Sequence, residues 1–275
     1  MSYDVPLRVL SLTPTRDGLA NPSRRLPDKH ERVFCGKTLN EWTMIQLWSS
    51  RHVSRAVFVC ETEAHADRLR PLAERYGVEL MVRNPELLHP HNDSGSIVMT
   101  HTLGRILAQD YYSLLMTPFV ISPCRPPGFI DWLVDEYLRR AFADGGDFTY
   151  HAPTLLCGWQ GDSALWQIEN GIAHKVGPAS LTRQTSYLFS TSQHWIGATW
   201  WYMGQMVKWF ARDTDNPGDY KPMMAEIEPW IDLHIDTEQD WEEAEYWFRK
   251  KILSQGQDCY ARYRESWEGG LSATS

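Results

Sequence analysis

Short apolar runs alternate with longer amphipathic stretches over the first half of the chain. The predicted strands are 7–12, 56–60, 78–82 and 111–117. The predicted helices are 39–50, 63–76 and 94–108. This alternation is typical of βαβ units, so the pattern predicts an α/β fold with a mostly parallel sheet.

The clearest helical pattern follows the loop 118–128. Its apolar positions, spaced by the helical period, are Ile130, Leu133, Val134, Tyr137, Leu138 and Ala141. From 148 to 191 the pattern changes to short β-like pieces, which predicts an antiparallel extension or a small lid. Further on we predict a helix at 194–212, a strand at 231–235 and a helix at 241–253.

These elements predict one domain at 1–255. Within it, we expect residues 148–215 to be an inserted region that acts as a lid or in dimerisation. The remaining residues, 256–275, are predicted to be a C-terminal tail that is partly helical and partly frayed.

Composition narrows the classes of partner. The chain has 275 residues, 43% of them hydrophobic, and a formal net charge of −8. That composition supports a sizeable core and disfavours disorder. The acidic balance argues against a general nucleic-acid or anionic-membrane binder, although a local basic pocket for one phosphate-bearing ligand remains allowed.

The sequence contains no feature that predicts export or a membrane anchor. No run approaches the roughly 18 apolar residues that a membrane span requires. The first residues lack the basic, apolar and small-residue order of a signal peptide. The five cysteines are scattered and odd in number, without a CxxC pair. We therefore expect a cytoplasmic protein with reduced thiols and no membrane partner.

A long polar loop, 13–32, follows the first predicted strand. Its cationic residues are Arg16, Arg24, Arg25 and Lys29. Ligands of open parallel sheets bind at the carboxyl ends of strands, and guanidinium and ammonium groups suit phosphate oxygens. Gly18 and Ser23 would let backbone amides approach such a ligand closely. The sequence therefore favours a nucleotide phosphate site here, with a solvated basic loop as the alternative.

A second candidate segment, 230–241, lies near the end of the chain. If 231–236 is a strand, its period of two places Asp232, His234 and Asp236 on one face. Two carboxylates and an imidazole can bind a divalent ion, and oxygen ligands beside a phosphate favour Mg²⁺. Alternatively, Asp236 or Thr237 is a helix N-cap, which explains part of the pattern without a metal.

Five short motifs occur in a fixed order across 7–253. They are SRRLPDK at 23–29, GKTL at 36–39, SPCR at 122–125, RQ at 183–184 and IDTEQDW at 235–241. In order and spacing they resemble SKRIPxK, GKPL, SPLR, RQ and IDTxxDW of the CMP-N-acylneuraminate synthetases, which are sugar-activating cytidylyltransferases.

This resemblance implies a fold and a reaction. The fold is the Rossmann-like three-layer α/β/α nucleotide-diphospho-sugar transferase fold, with a small antiparallel extension. The reaction is the transfer of CMP from CTP to an acidic sugar or a related acceptor, with release of pyrophosphate and with Mg²⁺ as cofactor. Members of this family commonly form homodimers.

The resemblance also implies roles for particular residues. Those expected to hold the triphosphate are Arg16, Arg24 and Lys29. Those expected to contact the nucleotide are Ser23, His30, Asn92, Ser94 and Ser96. Those expected at the acceptor are Phe119, Arg183 and Gln184. Asp236, with Asp232 or His234, is expected to hold Mg²⁺.

The chain departs from the family pattern at several of these positions. TRDG replaces the glycine-rich ARGG of the family, and four residues, 19–22, are inserted after it. His30, Phe119 and His234 stand where the family has Asn, Gln and Asp. Two alternatives therefore remain open: a catalytically degenerate nucleotide-binding or scaffold homologue, and another transferase that uses nucleotide sugars.

Overall fold

A computed structural model defines the architecture of the chain. It describes residues 7–19, 25–27, 29–84, 95–141, 154–160, 166–169, 172–175, 188–189, 194–199, 202–203 and 223–271. No helix within these ranges is long and apolar enough to cross a membrane.

One large mixed sheet is the centre of the described structure. Its strands are β1 (Val9–Pro14), β4 (Val53–Cys60), β5 (Glu79–Val82), β6 (Leu114–Met116), β7 (Thr154–Gln160), β10 (Leu188–Phe189), β11 (Trp195–Ala198) and β12 (Met223–Glu226). The strand order is β10-β7-β11-β6-β1-β4-β5, with β12 also paired to β7. Strands β6, β1, β4 and β5 are parallel, whereas β11 runs antiparallel to both of its neighbours. The α/β class and the antiparallel extension are thus confirmed.

Two small hairpins lie outside the large sheet. They are β2 (Val33–Phe34) with β3 (Lys37–Thr38), and β8 (Trp166–Glu169) with β9 (Ile172–Lys175).

The helices are α1 (Leu39–Trp48), α2 (Glu63–Tyr76), α3 (Gly95–Leu107), α4 (Phe129–Ala141), α5 (Glu238–Trp247) and α6 (Cys259–Leu271). A 3₁₀ turn, Pro229–Asp232, precedes α5, and a π-helical turn, Phe248–Ile252, follows it. The predicted bounds of α2 are confirmed, and Gly77, at φ 62°, ends this helix in the left-handed conformation that glycine favours.

Apolar residues form two cores, one on each face of the sheet. Leu10 and Leu12 of β1 pack with α3, whereas Val9 belongs to the core shared with α1, α2 and α4. This division follows the period-two alternation of a strand buried on both faces. It produces the predicted three-layer α/β/α arrangement.

Two predictions in the second half of the chain need correction. Residues 195–198 form strand β11 rather than the start of a helix, because Trp195–Ala198 pairs with β6 and β7 at the sheet centre. Residues 231–235 are not a strand, because the 3₁₀ turn ends at Asp232 and the following residues pair with no strand. Most of the predicted inserted region, 148–215, lies outside the described residues, so its role as a lid or dimerisation element stays a prediction. Two of its strands, β7 and β11, belong to the main sheet.

The predicted C-terminal tail is part of the packed structure over α6. Cys259 and Tyr260 are buried in the larger core. The Tyr260 hydroxyl donates to the backbone carbonyl of Arg125, and that of Tyr263 donates to Asp131 Oδ2 over 2.7 Å. These contacts attach α6 to the loop before α4 and to α4 itself.

Candidate active site

The loop after β1 and the segment before α5 meet at the carboxyl edge of the parallel strands. Lys29 is 5% exposed, and its Nζ donates to Asp236 Oδ1 over 2.8 Å and to the carbonyl of Ile235 over 2.6 Å. The backbone N–H of Ile235 donates over 2.9 Å to the carbonyl of Ile121, in the loop after β6. Residues 207 positions apart in sequence are therefore held together beside the strand ends.

Asp236 is surrounded by three nitrogen-bearing side chains. Besides Lys29, Arg25 Nη1 lies 2.8 Å and His234 Nε2 lies 3.1 Å from Asp236 Oδ2. Burial by itself would raise the pKa of Asp236, but Lys29, then His234 and Arg25, bring it below its ordinary value. Asp236 is consequently a carboxylate at neutral pH.

A helix cap fixes the backbone on which Asp236 stands. The Thr237 side chain accepts from the N–H of Asp240, and the Asp240 side chain accepts from the N–H groups of Thr237 and Asp236, at 2.8 and 3.0 Å. Thr237 is thus the N-cap of α5, in a capping box. Because Thr237 takes the capping role, the Asp236 carboxylate is directed to Lys29 and Arg25 instead.

A buried arginine shapes the loop after β6, in which the predicted acceptor residue Phe119 lies. Arg125 is 1% exposed and donates to the carbonyl of Phe119 and to Gln46 Oε1. Gln46 Nε2 in turn donates to the carbonyl of Pro123 over 2.7 Å. The partly buried Phe119 is therefore held on the same edge of the sheet as Ile121, whose carbonyl anchors Ile235.

His30 and Arg16 lie in the same region of the loop. His30 is buried, and burial, with the nearby charges of Lys29 and Arg16, lowers its pKa to about 3. The carbonyl of His30 accepts from Asn40 Nδ2 over 3.4 Å, which links the loop to the start of α1. A neutral imidazole is therefore present beside the two predicted phosphate-binding cations.

The structure does not place Asp232, His234 and Asp236 on one strand face as predicted, although His234 contacts Asp236. Asp232 is buried in the 3₁₀ turn, and the pKa of Cys157 in β7 is raised by burial and, to a smaller extent, by the charge of Asp232. No group of three His, Cys, Asp or Glu side chains among the described residues could hold a metal ion. Asp236 alone fits a smaller role, since Mg²⁺ on a nucleotide is commonly bound by one or two carboxylates together with phosphate oxygens.

Several predicted site residues lie outside the described part of the chain. They are Ser23, Arg24, Asn92, Ser94, Arg183 and Gln184. Ser96 is in the first turn of α3, but its side chain is also outside that part. Their roles remain predictions.

Sequence reasoning missed an acidic cluster at the same edge of the sheet. Asp17 follows β1 and is bound by Arg68 Nη2 over 2.5 Å, while Glu61 follows β4 and is bound by Arg83 Nη2 over 2.5 Å. The positions of these residues in the sequence could have indicated the cluster, because Glu61 and Arg83 directly follow the parallel strands β4 and β5. Arg25 was also recognised only as a loop charge, and its contact with Asp236 gives it a place in the site.

Comparison with solved structures identifies the fold. A 4-diphosphocytidyl-2C-methyl-D-erythritol synthase from Anaerococcus prevotii matches with TM-score 0.62 and 10% identity, over 88% of this chain and 96% of that chain. A CMP:2-keto-3-deoxy-manno-octonic acid synthetase complexed with CTP matches with TM-score 0.58 and 12% identity, over 89% and 100%. A cytidylyltransferase from Leptospira borgpetersenii matches with TM-score 0.56 and 15% identity, over 97% and 96%.

The chain has the same fold as these three solved structures. The three solved structures are each covered almost completely, so this similarity extends over the whole domain and is not limited to one βαβ unit. No family model and no curated protein matches the sequence. In this fold, the Lys29–Asp236 contact lies at the carboxyl edge of the sheet, where α/β folds bind ligands.

Proposed function

We propose that this protein transfers CMP from CTP to an oxygen acceptor, an acidic sugar or a related molecule, and releases pyrophosphate. The observation that carries the proposal is the contact of buried Lys29 with Asp236, on a fold shared with cytidylyltransferases. Two segments far apart in sequence bring a cation and a carboxylate to one edge of the sheet. That arrangement suits phosphoryl transfer, in which the negative charge of a triphosphate must be offset and the acceptor must be oriented towards it.

In the proposed reaction, an acceptor oxygen forms a bond to the α-phosphorus of CTP. The bond from that phosphorus to the bridging oxygen of the β-phosphate breaks, pyrophosphate leaves with the electron pair, and the proton of the acceptor hydroxyl passes to water. Lys29 offsets charge on the phosphate oxygens from a fixed, buried position, so little reorganisation is needed as the charge develops. Arg25, whose side chain is 69% exposed, can exchange Asp236 for a phosphate.

The remaining predicted residues complete this proposal. Arg16 and Arg24 would bind phosphates, Ser23, His30, Asn92, Ser94 and Ser96 would contact the nucleotide, and Phe119, Arg183 and Gln184 would contact the acceptor. A Mg²⁺ ion, when bound with the nucleotide, would offset phosphate charge, and Asp236 is the described residue that would hold it. The motif resemblance also supports a homodimer, which light scattering tests, and a cytoplasmic location stays a prediction from the sequence.

Thermal shift with four nucleoside triphosphates, each with and without Mg²⁺, tests the proposal. A ligand that binds only the native state raises the apparent melting temperature by mass action. We expect CTP to stabilise the protein selectively. The part of this stabilisation that needs Mg²⁺ should disappear in Asp236→Ala. It should persist in the control Glu238→Gln, which removes a negative charge from a nearby side chain that is 62% exposed. A melting temperature that none of the four nucleotides changes would refute CTP use.

A second candidate is a nucleotide-binding or scaffold homologue without turnover. The acidic cluster of Asp17 and Glu61 favours it, since carboxylates beside the loop after β1 oppose a bound triphosphate. Pyrophosphate release across a panel of acidic sugars separates the two candidates. CTP binding without release for any acceptor would support the scaffold.

A further inference from the structure

Helix α6 is fixed to the end of α1 by two donors. Arg264 Nη1 donates over 2.6 Å to the carbonyl of Trp48, the last residue of α1. Trp267 Nε1 donates over 3.1 Å to the carbonyl of Ser49, the next residue. The last carbonyls of a helix have no partner within that helix, so α6 supplies donors that α1 lacks. The C-terminal helix is therefore docked on the domain, and it follows the part of the chain in which the five motifs occur.

A buried hydrogen-bond network joins α6 to the loop after β6. Tyr260, which is 2% exposed, donates from its hydroxyl to the carbonyl of Arg125 and accepts from Gln46 Nε2 over 3.3 Å. The Arg125 guanidinium donates to Gln46 Oε1 and to the carbonyl of Phe119. Gln46 Nε2 also donates over 2.7 Å to the carbonyl of Pro123. One network thus connects α6, α1 and the two ends of the loop.

The charge of Arg125 makes this network sensitive to each of its members. The side chain is buried, and the oxygens that accept from it, those of Phe119 and Gln46, are neutral. Burial lowers the pKa of Arg125 to about 10, which leaves the guanidinium charged at neutral pH. Burial also raises the pKa of Tyr260, so its hydroxyl keeps the proton that it donates. A buried charge that is held by neutral dipoles is destabilised when one of those dipoles is removed or turned.

The loop that Arg125 shapes contributes to the candidate site. Phe119 is the proposed acceptor residue, and its carbonyl also accepts from the N–H of Ser122 over 3.2 Å. The carbonyl of Ile121 accepts over 2.9 Å from the backbone N–H directly before Asp236. The contacts of Arg125 and Ser122 therefore fix the backbone of Phe119 beside the segment that carries Asp236.

We infer that Tyr260 is a positioning residue for the acceptor side of the site, acting through Arg125 on the backbone of Phe119. The inference deepens the proposed function and rests on it for the role of Phe119. Loss of the Tyr260 hydroxyl removes the donor that α6 gives to the loop, so the loop gains freedom. The contact between Lys29 and Asp236 stays in place. We therefore expect weaker use of the acceptor and unchanged binding of CTP.

Tyr260→Phe and Tyr263→Phe form a matched pair. Each removes one hydroxyl from α6, but the hydroxyl of Tyr263 donates over 2.7 Å to Asp131 in α4. Hydrogen exchange of the amides of 118–125, followed by mass spectrometry, measures the freedom of the loop without any ligand. We expect exchange to be about fivefold to tenfold faster in Tyr260→Phe than in the wild type, as for the loss of one buried hydrogen bond. Tyr263→Phe should match the wild type over the same residues.

Kinetics separate positioning from a general loss of structure. For the acidic sugar that the wild type turns over fastest, we expect the KM to rise about fivefold to tenfold in Tyr260→Phe. The KM and the Kd for CTP should keep their wild-type values, whereas a general loss of structure would weaken both substrates. Arg125→Met breaks the same network from the loop side and should change loop exchange and the acceptor KM in the same direction. If circular dichroism shows that Tyr260→Phe is unfolded, Arg125→Met decides instead.

Three outcomes would overturn the inference: loop exchange in Tyr260→Phe that equals that of the wild type, equal changes in the two tyrosine variants, or faster exchange with an unchanged acceptor KM. Failure of the proposed function has a different signature. In that case the wild type releases no pyrophosphate with any acidic sugar, while faster loop exchange in Tyr260→Phe alone still supports the positioning of the loop by Tyr260.

Discussion

The two halves of the loop after β1 carry opposite charge arrangements. In the front half, 15–19, backbone amides are bound by the carboxylates of Asp17, Glu31 and Glu61. In the rear half, 25–30, the cations of Arg25 and Lys29 are bound by Asp236. Each half thus has groups suited to phosphate, and in each half protein carboxylates already occupy them.

The difference lies in where the partner carboxylates come from. Those of the front half follow neighbouring strands or belong to the loop itself, so they are fixed as soon as the sheet forms. The carboxylate of the rear half arrives from the C-terminal segment, 207 positions away from Lys29. The rear half therefore depends on the packing of the C-terminal segment, whereas the front half depends on the loop itself and on the pairing of β1 with β4.

Loss of Lys29 should have the largest effect. Lys29→Met removes the buried partner of Asp236, so we expect a loss of about 3 kcal/mol in the free energy of unfolding. Any pyrophosphate release should fall on the order of 100-fold, as for removal of one preorganised donor. Urea unfolding and a coupled pyrophosphate assay measure the two effects. Lys29→Arg, which keeps the charge, should recover most of the stability; an unchanged stability in Lys29→Met would contradict the account.

Low pH should reduce the free energy of unfolding through the buried His30. The pKa of His30 is lowered to about 3 in the folded protein, so the unfolded chain, with an ordinary pKa, binds the proton first. Stability is therefore lost as the pH falls below about 6.5, by about 2 kcal/mol at pH 5 for this one group. Urea unfolding at pH 7.5 and pH 5 should show a smaller loss for His30→Asn than for the wild type, and parallel losses would refute the prediction.

The carboxylate of the rear half gives a smaller effect that depends on Mg²⁺. Asp236→Asn keeps the shape of the side chain but removes the charge that would hold the ion. We expect the gain in CTP affinity on adding Mg²⁺ to be about tenfold smaller than in the wild type. Titration of CTP with Mg²⁺ or with EDTA measures it, and Glu238→Gln should retain the full gain. An intact gain in Asp236→Asn would exclude Asp236 as the ligand.

The smallest effect is expected for the exposed rim of the Lys29–Asp236 contact, which is the pair Arg32 and Glu238. Arg32 pairs with Glu238 and lies 4.4 Å from the ring centroid of Trp241, but both charged side chains are well exposed. Such contacts are worth at most about 1 kcal/mol each. Arg32→Ala should therefore lower the urea midpoint only slightly and leave CTP affinity unchanged. A change as large as that in Lys29→Met would show that the rim, and not the buried pair, holds the two segments together.

Much of the fold could be predicted from the sequence because the spacing of apolar residues follows which face of each helix or strand is buried. Helix α2, with Gly77 at its end, and the parallel strands follow local patterns that packing reinforces. Strand β11 was missed because it begins the aromatic-rich stretch 194–212, which was predicted to be one helix. Its position between β6 and β7 depends on pairing with distant strands. The same limit explains Asp232, whose alternation with His234 and Asp236 predicted a shared face that the 3₁₀ turn removes.

The candidate site, like the fold, could be predicted only in part. Motif order predicted that Lys29 and Asp236 belong to one site, and their 2.8 Å contact confirms the proximity. The carboxylates of the front half could not be predicted, because Glu31 and Glu61 gain meaning only from the amides they face. Those contacts depend on how a loop with an inserted segment folds, and no period in the sequence encodes that.

A double-mutant cycle on CTP affinity tests the central claim, that the loop after β1 and the segment before α5 form one nucleotide site. The four proteins are the wild type, Lys29→Met, Asp236→Asn and the combined variant, titrated with CTP and Mg²⁺ by calorimetry. One shared site predicts that the two substitutions are coupled by at least about 0.5 kcal/mol. Additive effects, or CTP affinity that neither substitution changes, would contradict it.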